Sequence, residues 1–533
     1  FDADKPVSAV RHLLPDGAQV VTLDAMRLPD AMLTDRRTYL APINWATNFV
    51  FFRDETGQHT RVVTANYWGA YGGPGQRLYH RLFDAGGETI AEWVDELPGP
   101  NATVVVDSAE VRERFGLDGF CGSLFLHVIG AAGHDVVKYA LDTYGDADTV
   151  LSCTHDANAW PADYYAGLPA PREGERVILW VQNSHPCPIP AGEIGLNLMG
   201  RGDVARHARA IPPFATVAIE VGGLLPGARW PQQVEVSAGR HFVRPRYEVI
   251  TAAGRRRIAH ANVERTDLSP DPRLPELRPL LGKGHILPAP VLPVDRFRTI
   301  ALPTPMARSQ AELPLTALLF DASGEQVAEH RFGNLARSDS IAVEAADLME
   351  RAGRTLPSGY GHLELIYDFD AGGAADGWLH GLFRYEDRVS GHGAETSFGG
   401  HVYNTVLTYR NEPQSYAGRP PGLSTRLFLR LGPAPLDSFC HLVYPASTPW
   451  HATSRTDLVL TRRDGVEVAR RRIDIPCGGS HLFRYRETFS AQEQAAAGEH
   501  AHIVIRDTTC RLFGYHGLMN GERSFSLDHM FGF

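Results

Sequence analysis

Two stretches of this chain carry one residue pattern at a constant offset, and a duplication on that scale restricts the possible folds more than any bulk property does. Leu78–Trp93 reads LYHRLFDAGGETIAEW, and Leu315–His330 reads LTALLFDASGEQVAEH. The match continues ungapped from VVVDSAEVRERFG at Val104 to IAVEAADLMERAG at Ile341. Further on, GSLFL at Gly122 pairs with GHLEL at Gly361, and YYAG ending at Gly167 with SYAG ending at Gly418. ERVILWV at Glu175 then pairs with TRLFLRL at Thr425, IPPFATVAIE at Ile211 with IPCGGSHLFR at Ile475, and RRIAH ending at His260 with FSLDH ending at His529. Residues 1 to about 265 and about 295 to 533 therefore read as two copies of one unit.

Each unit alternates strand and turn. LFDAGGETIAEW has alternating apolar positions around Asp84–Gly87, whose glycines can adopt the positive φ of a tight hairpin turn. Short β-branched runs such as VVVD, VILWV, TVAIEV and HIVIRD end at Gly, Pro, Asn or Asp. Helical pieces are brief: Ser108–Phe115, its counterpart near Ala345–Ala352, and Ala491–Ala497. The pattern predicts an all-β chain of tandem, immunoglobulin-like β-sandwiches, built as an internal duplication of a two-domain unit. One sandwich holds about 100 residues, so each unit divides in two. The expected domains are 1–150, 151–265, 296–400 and 401–533. Prolines at 270, 272, 275, 279, 288, 290 and 293 mark 266–295 as a semi-rigid linker.

A net charge of −10 over 533 residues argues against a nucleic-acid partner. No run approaches the ~18–20 apolar residues of a transmembrane segment. The six cysteines form no CxxC pair and do not recur between the halves, so neither a metal knuckle nor a disulfide framework is expected. Unpaired cysteines point to the cytoplasm, and a signal removed ahead of Phe1 is also compatible.

Two constellations stand out. The first is histidine followed closely by asparagine: His155 with Asn158, His401 with Asn404, His260 with Asn262, and His529 without its asparagine. Histidine is a common metal ligand and titrates near neutrality, so histidines from neighbouring sandwiches could build a metal site. The plainer alternative is that they satisfy backbone groups at a domain junction, because no carboxylate or second histidine at ligand spacing accompanies them. The second is aromatic: Trp68 and Tyr71 within NYWGAYGGPG, with Trp160, Tyr164 and Tyr165 in another loop of the same unit, a candidate ligand-binding surface set against core packing.

GFCGS at Gly119 and CGGSH at Cys477 lack the G-x-S-x-G pattern and its strand-to-helix context. GAYGGPG is followed by no helix that could cradle phosphate. The carboxylates Asp156, Asp163, Glu364, Asp368 and Asp370 include no pair that the sequence selects. No catalytic residue and no cofactor is expected. The reading is a non-catalytic structural or binding protein presenting loops to a protein or glycan partner; the alternative is an enzyme with a histidine-based, metal-dependent site where paired sandwiches meet.

Overall fold

The computed structural model describes residues 9–14, 17–22, 45–71, 75–157, 160–266, 268–270, 272, 274–278, 283, 286–375, 378–401, 404–409, 412–414, 425–445 and 451–532, with backbone alone at 9–14, 17–22, 286, 378, 400–401, 404–409 and 412–414. The chain is nearly all β, in separate antiparallel sheets that stack as tandem sandwiches.

A hairpin of β1 (Ala9–Leu14) and β2 (Gly17–Thr22) precedes the first sandwich. That sandwich holds β3 (Trp45–Glu55), β4 (Gln58–Ala65), β5 (Arg77–Phe83), β6 (Thr89–Glu96), β7 (Thr103–Asp107), β8 (Phe120–Ile129), β9 (Tyr139–Tyr144) and β10 (Leu151–Asp156). Its strand order is β10-β9-β4-β3-β8-β5-β6, with β7 also on β4. β3 and β4 pair at two positions beside their turn, Asp54 with His59 and Glu55 with Gln58, so the sheet folds there into two faces. Phe51, Phe52, Leu82, Leu124 and Leu141 fill the space between.

The second sandwich contains β11 (Tyr164–Pro169), β12 (Glu175–Gln182), β13 (Gly195–Leu198), β14 (Ala205–Arg206), β15 (Thr216–Glu220), β16 (Gln233–Ser237), β17 (Arg246–Thr251), β18 (Arg256–His260) and β19 (Asn262–Val263). Sheets β14-β13-β16-β11-β19 and β15-β12-β17-β18 enclose Leu179, Ile219, Val234 and Val249.

The third is built from β20 (Ile286–Val291), β21 (Phe297–Pro305), β22 (Glu312–Asp321), β23 (Gln326–Ala336), β24 (Val343–Glu344), β25 (Gly361–Tyr367), β26 (Trp378–Asp387) and β27 (Gly393–His401), in sheets β20-β25-β22-β23 and β24-β21-β26-β27. A short hairpin, β28 (Asn404–Tyr409) with β29 (Glu412–Gln414), follows. The fourth comprises β30 (Thr425–Arg430), β31 (Asp437–Val443), β32 (Thr456–Thr461), β33 (Glu467–Ile473), β34 (Ser480–Arg484), β35 (His502–Asp507), β36 (Phe513–Asn520), β37 (Ser524–Phe525) and β38 (Asp528–His529). Its sheets run β33-β32-β35-β30 and β34-β31-β36-β37, with β38 also on β36.

The predicted hairpin is β5–β6, where Gly87 sits at φ 90° and donates to Asp84 O. The matching turn between β22 and β23 places Gly324 at φ 91°, donating to Asp321 O. Each turn docks on the next sandwich of its own half: Thr216 N donates to Ala85 O and Ser480 N donates to Ala322 O, both at 3.1 Å. The three predicted helices form at Ser108–Phe115, Ala345–Ala352 and Ala491–Ala497. The first two stop at Gly116 and Gly353, both left-handed, as C-terminal caps should.

Two details differ from the sequence expectation. The Pro-rich segment 266–295 contains a strand, β20, paired with β25 alone. Pro288 and Pro290 are tolerated because β20 is an edge, where alternate backbone nitrogens have no strand to donate to. In addition, β12 lies between β15 and β17, whereas β30 is an edge strand beside β35, so ERVILWV and TRLFLRL hold different places; Asp437–Val443 has the central position in the second half. Buried strands share one apolar alternation, and a short match between two of them leaves the strand pairing open.

Candidate metal centre

The geometry of interest arises from sheet edges. β10, β18, β27 and β38 are each the edge strand of a different sandwich. They close into a ring in which β10 packs on β18, β18 on β27, β27 on β38 and β38 on β10. An exposed edge presents unpaired N–H and C=O groups, and inward convergence hides them from solvent and from other chains. Side chains take the place of the missing strands: Arg246 donates to His155 O (3.1 Å), and Ser397 Oγ donates to His260 O (3.1 Å). Asn262 Nδ2 in turn donates to Ser397 Oγ (2.9 Å).

Inside the ring, His155 from β10, His260 from β18, and Asp528 and His529 from β38 bring one ligand-type atom each to within 4.8 Å of the others. Asp528 is the hub. Its Oδ2 lies 2.8 Å from His155 Nδ1 and 3.9 Å from His260 Nε2, and its Oδ1 lies 3.4 Å from His529 Nδ1. Thr396 of β27 donates its hydroxyl to Asp528 Oδ1 (2.5 Å) and accepts the His529 N–H (3.2 Å). The rings of His155 and His529 meet edge to face at 4.0 Å, and Phe398 covers His529 at 5.0 Å. The side chains of His155, His260 and Asp528 are at most 4% exposed and that of His529 is 12% exposed.

Burial sets the charge state. Desolvation, reinforced by His529, lowers His155 to about 4, Asp528 pulling the other way. Desolvation, with Arg244 adding, holds His260 well below its usual value. Both rings are neutral at pH 7, the form that ligates metal. Burial opposes ionisation of Asp528, yet the histidines around it keep its carboxyl well below the usual range. The result is one carboxylate facing three imidazoles in a largely buried site, with His260 Nε2 lacking a hydrogen-bond partner. A tetrahedral ion with ligand bonds of 2.0–2.1 Å separates its ligand atoms by roughly 3.3 Å, and the carboxylate-to-imidazole distances of 2.8, 3.4 and 3.9 Å bracket that spacing.

The structure brings together three of the four singled-out histidines. His401 ends β27 opposite Trp378, and its side chain lies outside the described residues, as does Asn158. Asp528 is not among the sequence candidates although it directly precedes His529; the Asp-His dipeptide is the signal that points to it. Thr396 and Ser397 carried no signal, since their role depends on an edge strand of another sandwich.

The aromatic candidates fall in two sandwiches. Trp68 is a core side chain, its ring tilted against that of Tyr67 at 4.0 Å and its indole N–H donated to His134 O. Tyr71 is 36% exposed against His134. Trp160 is 45% exposed, Tyr164 lies under the Arg308 guanidinium at 4.2 Å, and Tyr165 is buried with its hydroxyl on Phe242 O. None of the six cysteines forms a disulfide. Burial pushes the thiol of Cys121 up to about 12 and that of Cys477 up to about 11, the opposite of nucleophile activation. Among the described residues, no helix is long and apolar enough to cross a membrane.

Fold and site together define a class: a multi-sandwich β protein with a buried histidine–aspartate cluster where its sheet edges meet. No family model matches the chain, and no curated protein matches it. Among solved structures, it is similar to a glycosyl hydrolase family 2 member from Bacteroides cellulosilyticus (10% identity, 47% of this chain and 28% of that one, TM-score 0.10). It is also similar to the viral chemokine binding protein R17 of rodent gammaherpesvirus Peru (8% identity, 71% and 82%, TM-score 0.13). A third is dimeric latent PorU from Porphyromonas gingivalis (7% identity, 85% and 40%, TM-score 0.14). Likeness at this level carries no function across. The all-β, multi-sheet fold fits a structural or binding role.

Proposed function

We propose that the protein is a non-catalytic binding protein whose four sandwiches are fastened together by one divalent transition-metal ion, held by His155, His260, Asp528 and His529. The observation that carries this reading is the convergence of those four side chains from three sandwiches, with Thr396 of the remaining one bonded to the carboxylate. Three imidazoles and one carboxylate suit Zn²⁺, and four protein ligands complete a tetrahedron, the pattern of a structural site. The enzyme alternative needs a position open to substrate, and near-complete burial of three of the four ligands speaks against one.

In this reading the halves are duplicated copies of two sandwiches each, and the boundaries expected at 150, 296 and 400 shift so that β10 (Leu151–Asp156) closes the first sandwich, β20 (Ile286–Val291) opens the third and β27 (Gly393–His401) closes it. The corresponding strand orders of their sheets support it, as do the paired dockings of Ala85 with Thr216 and Ala322 with Ser480. A protein or glycan remains the proposed partner of the surface loops.

Mass spectrometry of the purified chain for metals is the test. We expect about one Zn²⁺ per chain, lost in His155→Ala and in Asp528→Ala. A chain that takes up no stoichiometric transition metal after refolding with Zn²⁺, Fe²⁺ or Mn²⁺ overturns the proposal.

A further inference from the structure

Beyond the metal centre, we infer that the outer edge of the third sandwich is a self-association surface: β23 of one chain pairs antiparallel with β23 of a second copy, joining two four-stranded sheets into one. β23 ends the order β20-β25-β22-β23 and is 11 residues long, where strands average about 5–6. A long unpaired edge is a template for another strand.

The register shows which backbone groups are free. In antiparallel pairing, successive residues turn their N–H and C=O to opposite sides of the strand. Asp368, just past β25, donates its N–H to Pro314 O, and Asp321 N donates to Glu325 O on the other side. Both bulges of the β22–β23 ladder lie on β23, so the alternation along β22 is unbroken and Ala317 faces β23, hydrogen-bonded to His330. Glu329 and Arg331, on either side of His330, therefore aim their N–H and C=O away from β22. Among the described residues, no backbone bond reaches them from the open side.

The side chains select a second copy as the occupant. Glu329 and Arg331 share the outer face, 39% and 57% exposed. A two-fold pairing centred on His330 sets Glu329 of each chain opposite Arg331 of the other, where the backbone groups are free. Each such contact combines two backbone bonds with one ion pair, and symmetry supplies it twice. Centring on Glu329 or on Arg331 instead sets like charges opposite, which is unfavourable. Arg331 uses Nε on its own Glu329 Oε1 (2.7 Å) and Nη2 on Asp370 (3.4 Å), leaving Nη1 and Glu329 Oε2 for the second copy. On the inner face, the same register lays Ala328 beside the partly buried Phe332 of the other chain. Two other hairpin edges lack this self-complementarity: β6 carries Glu92, Asp95 and Glu96 without a basic residue, and β33 carries Arg470, Arg471 and Arg472 in a row. Backbone bonds and ion pairs carry the contact in place of a broad apolar area, so the dimer depends on concentration.

Sedimentation velocity of the full-length chain over a range of concentrations, with hydrogen exchange of the Glu329 and Arg331 amides, tests the pairing. We expect a monomer–dimer equilibrium, with exchange at both amides slowing as dimer accumulates. Glu329→Arg and Arg331→Glu, each alone, set like charges opposite and should weaken dimerisation at least tenfold. Mixed together, the two variants should associate again, because every pair across the interface then has opposite signs; the double variant should likewise dimerise. Thermal midpoints close to that of the parent check that the variants are folded. Dimerisation should persist in His155→Ala, since this edge lies outside the metal centre. A chain that is monomeric at every concentration, slow exchange of both amides in the monomer, dimerisation unaffected by either single variant, or failure of the mixed variants to associate overturns the inference.

Discussion

A buried charge is stable only with its partners in place, and Glu395 illustrates the point. It is fully buried and accepts from Arg384 Nε at 2.7 Å and from Arg257 Nη2 at 3.0 Å, while Glu175 bonds the same two guanidinium groups. Burial works against its ionisation, and Arg384 and Arg257 bring its carboxyl below the usual value nonetheless. Glu395→Ala would leave two buried arginines, between the second and third sandwiches, sharing Glu175 as their one remaining carboxylate in this cluster. We expect it to cost about 3–5 kcal/mol in urea unfolding, where Glu220→Ala, which breaks an exposed pair with Arg176, costs less than about 1 kcal/mol. Equal effects of the two substitutions would refute the assignment. Nothing in the sequence marks Glu395 apart from Glu220, because burial and a partner 138 positions away, Arg257, supply the difference.

Among the elements, edge strands and their glycines bear the most constraint. On β11, Gly167 adopts φ 84°, and a Cβ there would lie 2.1 Å from the buried His380 ring of β26. Gly167→Ala therefore combines backbone strain with an interdomain clash, and a loss of more than about 2 kcal/mol is expected from thermal or chemical unfolding. Helix Ala491–Ala497 is held by a capping box, Ser490 Oγ accepting from Glu493 N and Glu493 accepting from Ser490 N. Ser490→Ala should cost about 1 kcal/mol. The hairpins and these helices were legible in sequence, since Gly-rich turns and capping residues act within a few positions of one another. The strand in the Pro-rich segment was not, because its acceptance of proline depends on lying at an edge.

For the molecule as a whole, buried titratable groups fix the pH range of stability. Desolvation lowers His80, His380 and His392 to about 3 and His502 to about 4. The unfolded chain binds protons on these rings below about pH 6.5 while the folded chain does not, so stability falls as pH drops beneath that value. Glu264 behaves in the opposite sense: burial, with Glu235 adding and Arg337 opposing, raises its carboxyl to about 8. Here the folded chain retains a proton that the unfolded chain has released, so stability also declines as pH rises towards 8. Urea midpoints measured from pH 4 to 9 should give a steep acid limb, a maximum near pH 6–7 and a shallow alkaline limb. Glu264→Gln should flatten the alkaline limb alone; an unchanged alkaline limb would show that Glu264 is ionised throughout.

By itself, the sequence determined the all-β class, the hairpins, the brief helices and the recurrence of residues between the halves. These depend on alternation, turn chemistry and capping, which operate over a few residues. It also singled out His155, His260 and His529. Their convergence, the inclusion of Asp528 and the support from Thr396 were decided by tertiary structure alone, because four edge strands from four sandwiches must close into a ring before any of these atoms meet. The same distinction applies to the aromatic residues: Trp68 and Trp160 look alike in sequence, and packing buries one in a core and leaves the other exposed. Local rules specify strands, whereas which edges face one another is settled by the burial of surfaces far apart in the chain.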